Sequence, residues 1–277
     1  MSDWRADLES LYSARIARLR SDRGWLSLVG KIFLADGRVE LGSDPSCGAR
    51  LPDGAPAHAG TLEIAGTRVR FVGDAKIGGE RVTDRVLRSD AHGAADRLEI
   101  GGFVVELMER GETIALRVRD VRELPLPFAG IERFPVDEAW RKDARLVPHA
   151  SKTRIAIEYE GATDGAVEDT MESPGILVFD VPGERDRRVE MDALVESGGK
   201  RLYVPFRDKS DAYSAGRFVY APMPDADGRV ILDFNAAMLP GCAFTSFATC
   251  PIPPPRNRLR FAVTAGEQRY LAEPLGY

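Results

Sequence analysis

The densest run of polar groups able to hold a ligand lies between Asp233 and Glu267 of this 277-residue chain. On a strand, Asp233 and Asn235 would share one face, because alternate residues point the same way. Cys242, Thr245, Ser246, Thr249 and Cys250 follow in a loop of small residues. Pro251, Pro253, Pro254 and Pro255 hold the next segment extended, and Asn257 precedes a strand expected at Leu259–Thr264. Glu267 follows Ala265-Gly266, readable either as a turn residue or as an acid. Polar groups on a stiff, irregular backbone suit a binding site, since preorganisation lowers the entropic cost of binding. Upstream, Tyr213 and Arg217 flank Gly216. The glycine admits close backbone approach, and the guanidinium can fork onto a carboxylate or phosphate, or pair internally with Asp208, Asp211 or Asp233. The competing role for Asp and Asn is to cap turns and satisfy loop carbonyls.

The carboxamides mark the same region. The chain has two asparagines and one glutamine (Asn235, Asn257 and Gln268), and arginine outnumbers lysine 32 to 6. A GC-rich genome produces such a skew. Under that pressure asparagine persists where a neutral group that both donates and accepts is hardest to replace. Cys242 and Cys250, eight apart, fit buried thiols first, a disulfide second and a catalytic or metal role last. Zinc asks for closer pairs with two further ligands, and only Cys47 and three dispersed histidines (His58, His92 and His149) remain. No metal or other cofactor is expected.

Familiar catalytic signatures are absent from the sequence. There is no Gly-x-Ser-x-Gly elbow, phosphate loop, His-Glu-x-x-His pair or Gly-x-Gly-x-x-Gly fingerprint. Net charge −5 and pI near 5.4 argue against a broad nucleic-acid surface, which needs excess cations to displace phosphate counterions. Met1–Leu19 is too charged for a secretory signal, no apolar run is long enough to span a bilayer, and three cysteines suit a reducing compartment. The expectation is a cytoplasmic protein that engages neither nucleic acid nor membrane.

The elements that must position these groups are mostly strands. Trp4, Leu8, Leu11, Tyr12, Ile16 and Leu19 recur at helical spacing, which predicts a helix over 3–20 capped by Ser2. Short alternating runs then predict strands at Arg38–Leu41, Thr61–Ile64, Arg68–Val72, Phe103–Met108 and Ile114–Val118. After the proline-marked connector Glu123–Phe128, strands are expected at Thr153–Glu160, Ile176–Val181, Val189–Val195, Arg201–Phe206, Arg217–Tyr220 and Val230–Phe234. Pro224–Gly228 reads as a hairpin turn between the last two. The fold class is therefore mainly β: an N-terminal helix (1–24), a β-sandwich (25–122) and a second antiparallel β domain, sandwich or barrel (123–277).

Two resemblances add to this. Leu41-Gly42-Ser43-Asp44-Pro45 through Arg50-Leu51-Pro52, with Ala55-Pro56-Ala57-His58, resembles a forkhead-associated domain, a β-sandwich that binds phosphothreonine peptides through loops at one end. Gly42 and His58 match that pattern. Ser43, Ala55 and Gly78-Gly79 stand where its Arg, Ser and Asn-Gly belong, so the groups that would touch phosphate are missing. Across nearly the whole chain, Gly24-Trp25-Leu26-Ser27, Phe134-Pro135-Val136-Asp137, Asp233-Phe234-Asn235, Cys242-Ala243-Phe244-Thr245 and Ala265-Gly266-Glu267 resemble the bacterial and archaeal family catalogued as domain of unknown function 1684. That resemblance implies an architecture and no activity.

The functional expectation is a small-molecule site in the C-terminal β domain, with hydrolysis one chemistry open to it. Its candidate residues are Tyr213, Arg217, Asp233, Asn235, Cys242, Thr245, Cys250, Asn257 and Glu267. The alternative is a non-catalytic module in which the forkhead-like half meets a protein partner or a second copy of the chain.

Overall fold

The computed structural model describes residues 3–122, 128–160, 167–181, 188–196 and 198–275. The expected cap Ser2 and connector residues 123–127 lie outside them. Helix α1 (Trp4–Leu19) opens the chain, and Asp3 is its N-cap, its carboxylate accepting from the Arg5 amide. Leu8, Tyr12 and Leu19 of the expected stripe are buried, whereas Ile16 is exposed. Gly24 ends the turn after the helix because a Cβ there would lie 2.0 Å from the Leu19 carbonyl oxygen.

Nine strands follow: β1 (Leu28–Phe33), β2 (Gly37–Gly42), β3 (Ala49–Arg50), β4 (Gly60–Ala65), β5 (Arg68–Ile77), β6 (Glu80–Val86), β7 (Arg97–Ile100), β8 (Phe103–Arg110) and β9 (Thr113–Asp120). They form one sheet in the order β1-β9-β8-β7-β5-β4-β2-β3, with β6 paired to β5. Every pairing but β2–β3 is antiparallel. The apolar alternation of Leu62, Val69, Phe71, Leu98, Val105 and Leu116 fills its core. β1, β3, β6 and β7 are not among the expected strands: β6 (Glu-Arg-Val-Thr-Asp-Arg-Val) is almost wholly exposed, so it carries no apolar alternation to read.

The second half holds β10 (Ile131–Arg133), β11 (Arg141–Glu160), β12 (Val167–Asp180), β13 (Arg188–Val195), β14 (Arg201–Phe206), β15 (Arg217–Pro222), β16 (Arg229–Asp233), β17 (Cys250–Pro251) and β18 (Glu267–Tyr270). Seven of these form a sheet ordered β15-β14-β13-β12-β11-β16 with β17 on β11, while β10 pairs with β18. β15 and β16, at opposite ends of that order, come back together, so the sheet rolls into a nearly closed barrel around Leu177, Met191, Val204, Val219, Leu232 and Phe234.

Two expected elements differ. Asp225 does tie the Pro224–Gly228 turn, its carboxylate accepting from the amides of Asp227 and Arg229. The turn is not a hairpin, because β16 pairs with β11 rather than with β15. Leu259–Thr264 is not a strand either. Leu259 and Val263 are buried in the barrel core, but the carbonyls of Val263 and Ala265 accept from the Arg217 guanidinium instead of from a neighbouring strand.

Candidate functional site

The two asparagines do the same job. The Asn235 side chain accepts from the Asp137 amide (3.0 Å) and donates to the Asp137 carbonyl (2.9 Å), pairing with one residue's backbone as a strand partner would. Asn257 repeats this on Asp192 (2.7 and 3.0 Å) and donates also to the Pro205 carbonyl (2.8 Å). Both are fully buried, and Asn257 bridges β13 and β14 beyond the point where their own pairing stops, so the carboxamides stand in for missing backbone partners. Asp233 ends β16, and Asn235 already lies in a 3₁₀ turn, so the two do not share a strand face. Instead Asp233 caps that turn, accepting from the Asn235 amide (2.9 Å) and carboxamide (2.8 Å).

Arg217 is the largest fully buried side chain. It donates to the carbonyls of Val263 (2.7 Å), Ala265 (2.5 Å) and Glu267 (3.1 Å) and pairs with Asp208 at 3.1 Å. Burial pulls its pKa down, and the Asp208 carboxylate works against that. Of the three acids weighed from sequence, Asp208 is the one it meets. Glu267 is 1% exposed and accepts from Arg15 of α1 (3.2 Å) and from the Leu239 amide (2.7 Å). Thr245 donates to the Leu28 carbonyl, and the Tyr213 hydroxyl to the Cys242 carbonyl. These side chains act as ties between segments, and none of the nine candidates lines the large cleft described below.

Tyr12 belongs to the same web, donating from α1 to the Asn235 carbonyl with the Arg133 guanidinium 3.9 Å over its ring. Burial pushes its phenol from 10.0 to about 12. A folded-state pKa above the unfolded one stabilises fully below pH 10, and that contribution fades as pH climbs through about 12, because the unfolded chain ionises first. Tyr12→Phe should therefore flatten the loss of stability between pH 10 and 12 by about 2 kcal/mol, read from urea midpoints.

The cysteines correct the first expectation: Cys242 and Cys250 are paired in a disulfide, with Cα atoms 5.8 Å apart, and only Cys47 is free. The second reading of that pair therefore holds, and a disulfide sits less easily with the expected reducing compartment. The bond closes a short loop, so reduction or Cys250→Ser should lower stability by about 2–3 kcal/mol, measured as a shift in urea midpoint with and without dithiothreitol.

A cleft of about 1030 Å³ opens between α1, the first sheet and the outside of the barrel. Its floor comes from β14 and β15. Leu202, Val204, Val219 and Ala221 face the barrel core, so Tyr203, Phe218 and Tyr220 point outward. Outward positions of a one-sided antiparallel sheet are ordinarily polar. Here they carry three rings whose centroids lie 5.4–5.7 Å apart. Tyr159, Met171 and Met238 extend this apolar surface. Burial raises the phenol pKa of Tyr203 and of Tyr220, so both stay neutral.

The facing walls are cationic. Arg15, Arg18 and Arg23 come from α1 and the turn after it, Arg110, Arg117 and Arg119 from β8 and β9, and Arg201 from the edge of the floor. Against these seven the lining holds two acids, Asp7 and Glu196. Asp90 serves both Arg110 (2.9 Å) and Arg117 (2.7 Å), Glu106 holds Arg119 (2.8 Å), and Glu267 holds Arg15. Five carboxylates thus meet seven guanidiniums. Among the described residues the Arg18 and Arg23 guanidiniums make no hydrogen bond or ion pair, and the Arg117 Nε is buried without a partner.

The block singled out from sequence supplies one end of this cleft by shape rather than by polar side chains. Pro240, Gly241, Thr249 and Pro251 line it, and the Cys242–Cys250 bond staples the loop that carries them. Gly241 lies under the Trp25 indole, where a Cβ would come within 2.7 Å of the ring.

A family model described as "Protein of unknown function (DUF1684)" matches residues 127–268, just over half of the chain. The chain belongs to this family. A search of the curated proteins found no match. Among solved structures, the DUF1684 chain is similar to the solution NMR structure of an uncharacterized protein of Haloarcula marismortui, with 34% identity over 53% of this chain and 80% of that one, at a TM-score of 0.40. The matched segment of the DUF1684 chain holds all nine sequence candidates and the aromatic floor, whereas α1 and the arginines of β8 and β9 lie before it. The floor could have been found in the sequence. Arg201–Phe206 and Arg217–Pro222 are apolar on consecutive positions, and in an antiparallel sheet that pattern means both faces are covered.

Proposed function

We propose that this protein binds an anionic, amphipathic small molecule in the cleft between α1, the first sheet and the barrel. The observation that carries the reading is the opposition of walls: an aromatic and methionine floor faces arginines that outnumber their carboxylate partners, in a chain whose net charge is −5. Guanidiniums with free donors favour carboxylate or phosphate groups, and an apolar floor favours the remainder of such a ligand. The cleft volume of about 1030 Å³ suits a metabolite-sized occupant. In this reading the block Asp233–Glu267 is an end wall of the cleft, and polar recognition falls to arginine rather than to the nine residues expected from sequence. Among the described lining residues the acids are Asp7 and Glu196, the latter engaged by Arg201, and binding is the activity proposed.

Thermal melts with carboxylates and alkyl phosphates test this. A ligand at a hundredfold excess over its Kd should add about 2.7 kcal/mol of stability. Arg18→Ala combined with Arg23→Ala should remove most of that gain while leaving the ligand-free melting temperature unchanged. Arg38→Ala, on exposed β2, serves as the control. Stabilisation that persists in the double variant contradicts the reading.

A further inference from the structure

Resting on that reading, we infer that the occupant is an aromatic acid or aryl phosphate, laying a planar ring on Tyr203, Phe218 and Tyr220 and its anionic group beneath Arg18 of α1. The floor is a cluster of three rings whose planes are inclined 45–73° to one another. Tyr203 and Tyr220 are directly paired across β14 and β15, and Phe218 lies two residues before Tyr220 on the same face. Their centroids form a near-equilateral triangle of 5.4, 5.4 and 5.7 Å. Such a surface offers ring faces and edges to a planar partner, which gains offset or edge contacts beyond its buried area, whereas a flexible chain gains area alone and loses rotamer freedom.

The platform already holds one planar cation. The Arg201 guanidinium lies 4.0 Å over the Tyr220 ring, fixed there by two bonds to Glu196 at 2.8 and 2.5 Å. Arg201 thus covers part of Tyr220 and gives the floor a positive rim, beside which a ligand ring would lie. Arg18 and Arg15 act electrostatically on the Tyr220 hydroxyl from the helix side. Arg15 is spent on Glu267 and the Leu239 carbonyl, which leaves Arg18 to meet an anion over the rings. A cationic aromatic ligand is excluded by the same arginines, and a neutral one would leave the Arg18 guanidinium without the anion the cleft is arranged to receive.

Calorimetric titration of the full-length protein with matched probes decides the matter: 2-naphthoate and 2-naphthyl phosphate against decanoate and decyl phosphate, with inorganic phosphate as the headgroup alone. The naphthyl probes should bind about tenfold tighter than decyl probes of equal charge. Tyr220→Leu, which keeps apolar area and removes the ring, should weaken the naphthyl probes about tenfold and leave the decyl probes unchanged. Phe218→Leu should do the same to a lesser degree, so the conclusion does not hang on one variant folding. Arg18→Ala should weaken both series. Decyl probes binding as tightly as naphthyl ones, or naphthyl affinity surviving both leucine variants, overturns the aromatic assignment while the anion site stands. Failure of both series to bind overturns the site itself.

Discussion

Asn257→Ala should cost about 3–5 kcal/mol of stability, enough to bring a marginally stable barrel close to unfolding at 37 °C. The carboxamide serves the Asp192 amide and the carbonyls of Asp192 and Pro205, all in a fully buried place. Truncation strands three backbone groups where water does not reach, and each carries a desolvation penalty of about 1–3 kcal/mol. Asn257→Asp should not rescue it. It keeps the acceptor for the Asp192 amide but turns an anionic oxygen toward two carbonyls that need a donor. Urea midpoints measure the loss, and an unchanged m-value would show that the barrel still unfolds as one unit. A loss under about 1 kcal/mol would mean that water or a shifted backbone satisfies those groups.

Arg217→Met should be of similar size, about 4 kcal/mol, for an electrostatic reason. The guanidinium neutralises Asp208, which is 7% exposed, and satisfies three carbonyls of the irregular segment leading into β18. Methionine fills much of the volume but leaves a buried carboxylate held by the Val263 amide alone. Arg217→Lys keeps the charge without the planar fork, so it should recover about half of the loss. The double variant Arg217→Met with Asp208→Leu removes both charges and should be more stable than Arg217→Met alone. Equal stability would mean that the ion pair contributes nothing beyond its carbonyl bonds.

These two residues also show what the sequence made legible. The rarity of asparagine pointed to positions where a neutral donor–acceptor is hard to replace, and both asparagines prove to be partners of buried backbone groups. Rarity identified importance without distinguishing a ligand from a neighbouring chain segment, because a carboxamide binds either with the same geometry. Strand alternation gave the mainly β class and most of the strands, since period-2 burial is a local property. It did not give barrel closure, which depends on β16 leaving β15 to pair with β11, a choice made by contacts about 90 residues apart. Leu259–Thr264 reads as a strand because its apolar residues do enter the core. Its hydrogen bonds run to Arg207, Asp208, Lys209 and Arg217, all more than forty positions earlier, which no local pattern encodes.

The cleft was the least legible feature. Its arginines come from α1 and the turn after it, β8, β9 and β14, and in the sequence nothing sets them apart from the other arginines of an arginine-rich chain. The packing of α1 over the barrel, through Tyr12 on Asn235 and Arg15 on Glu267, brings its arginines to the cleft beside those of the first sheet. The sequence block and the cleft are thus parts of one arrangement. The buried ties of Asp233–Glu267 fix the helix, and the helix positions the cations.

The chain's six methionines allow the cleft to be tested directly. Met171 and Met238 line it, Met191 is fully buried in the barrel core, and Met223 is exposed on the turn after β15. With methyl-¹³C-methionine, titration with 2-naphthoate or decanoate should shift the Met171 and Met238 methyl resonances, saturably and together, and leave Met191 and Met223 in place. Saturable binding of either acid that leaves Met171 and Met238 unmoved would contradict the account.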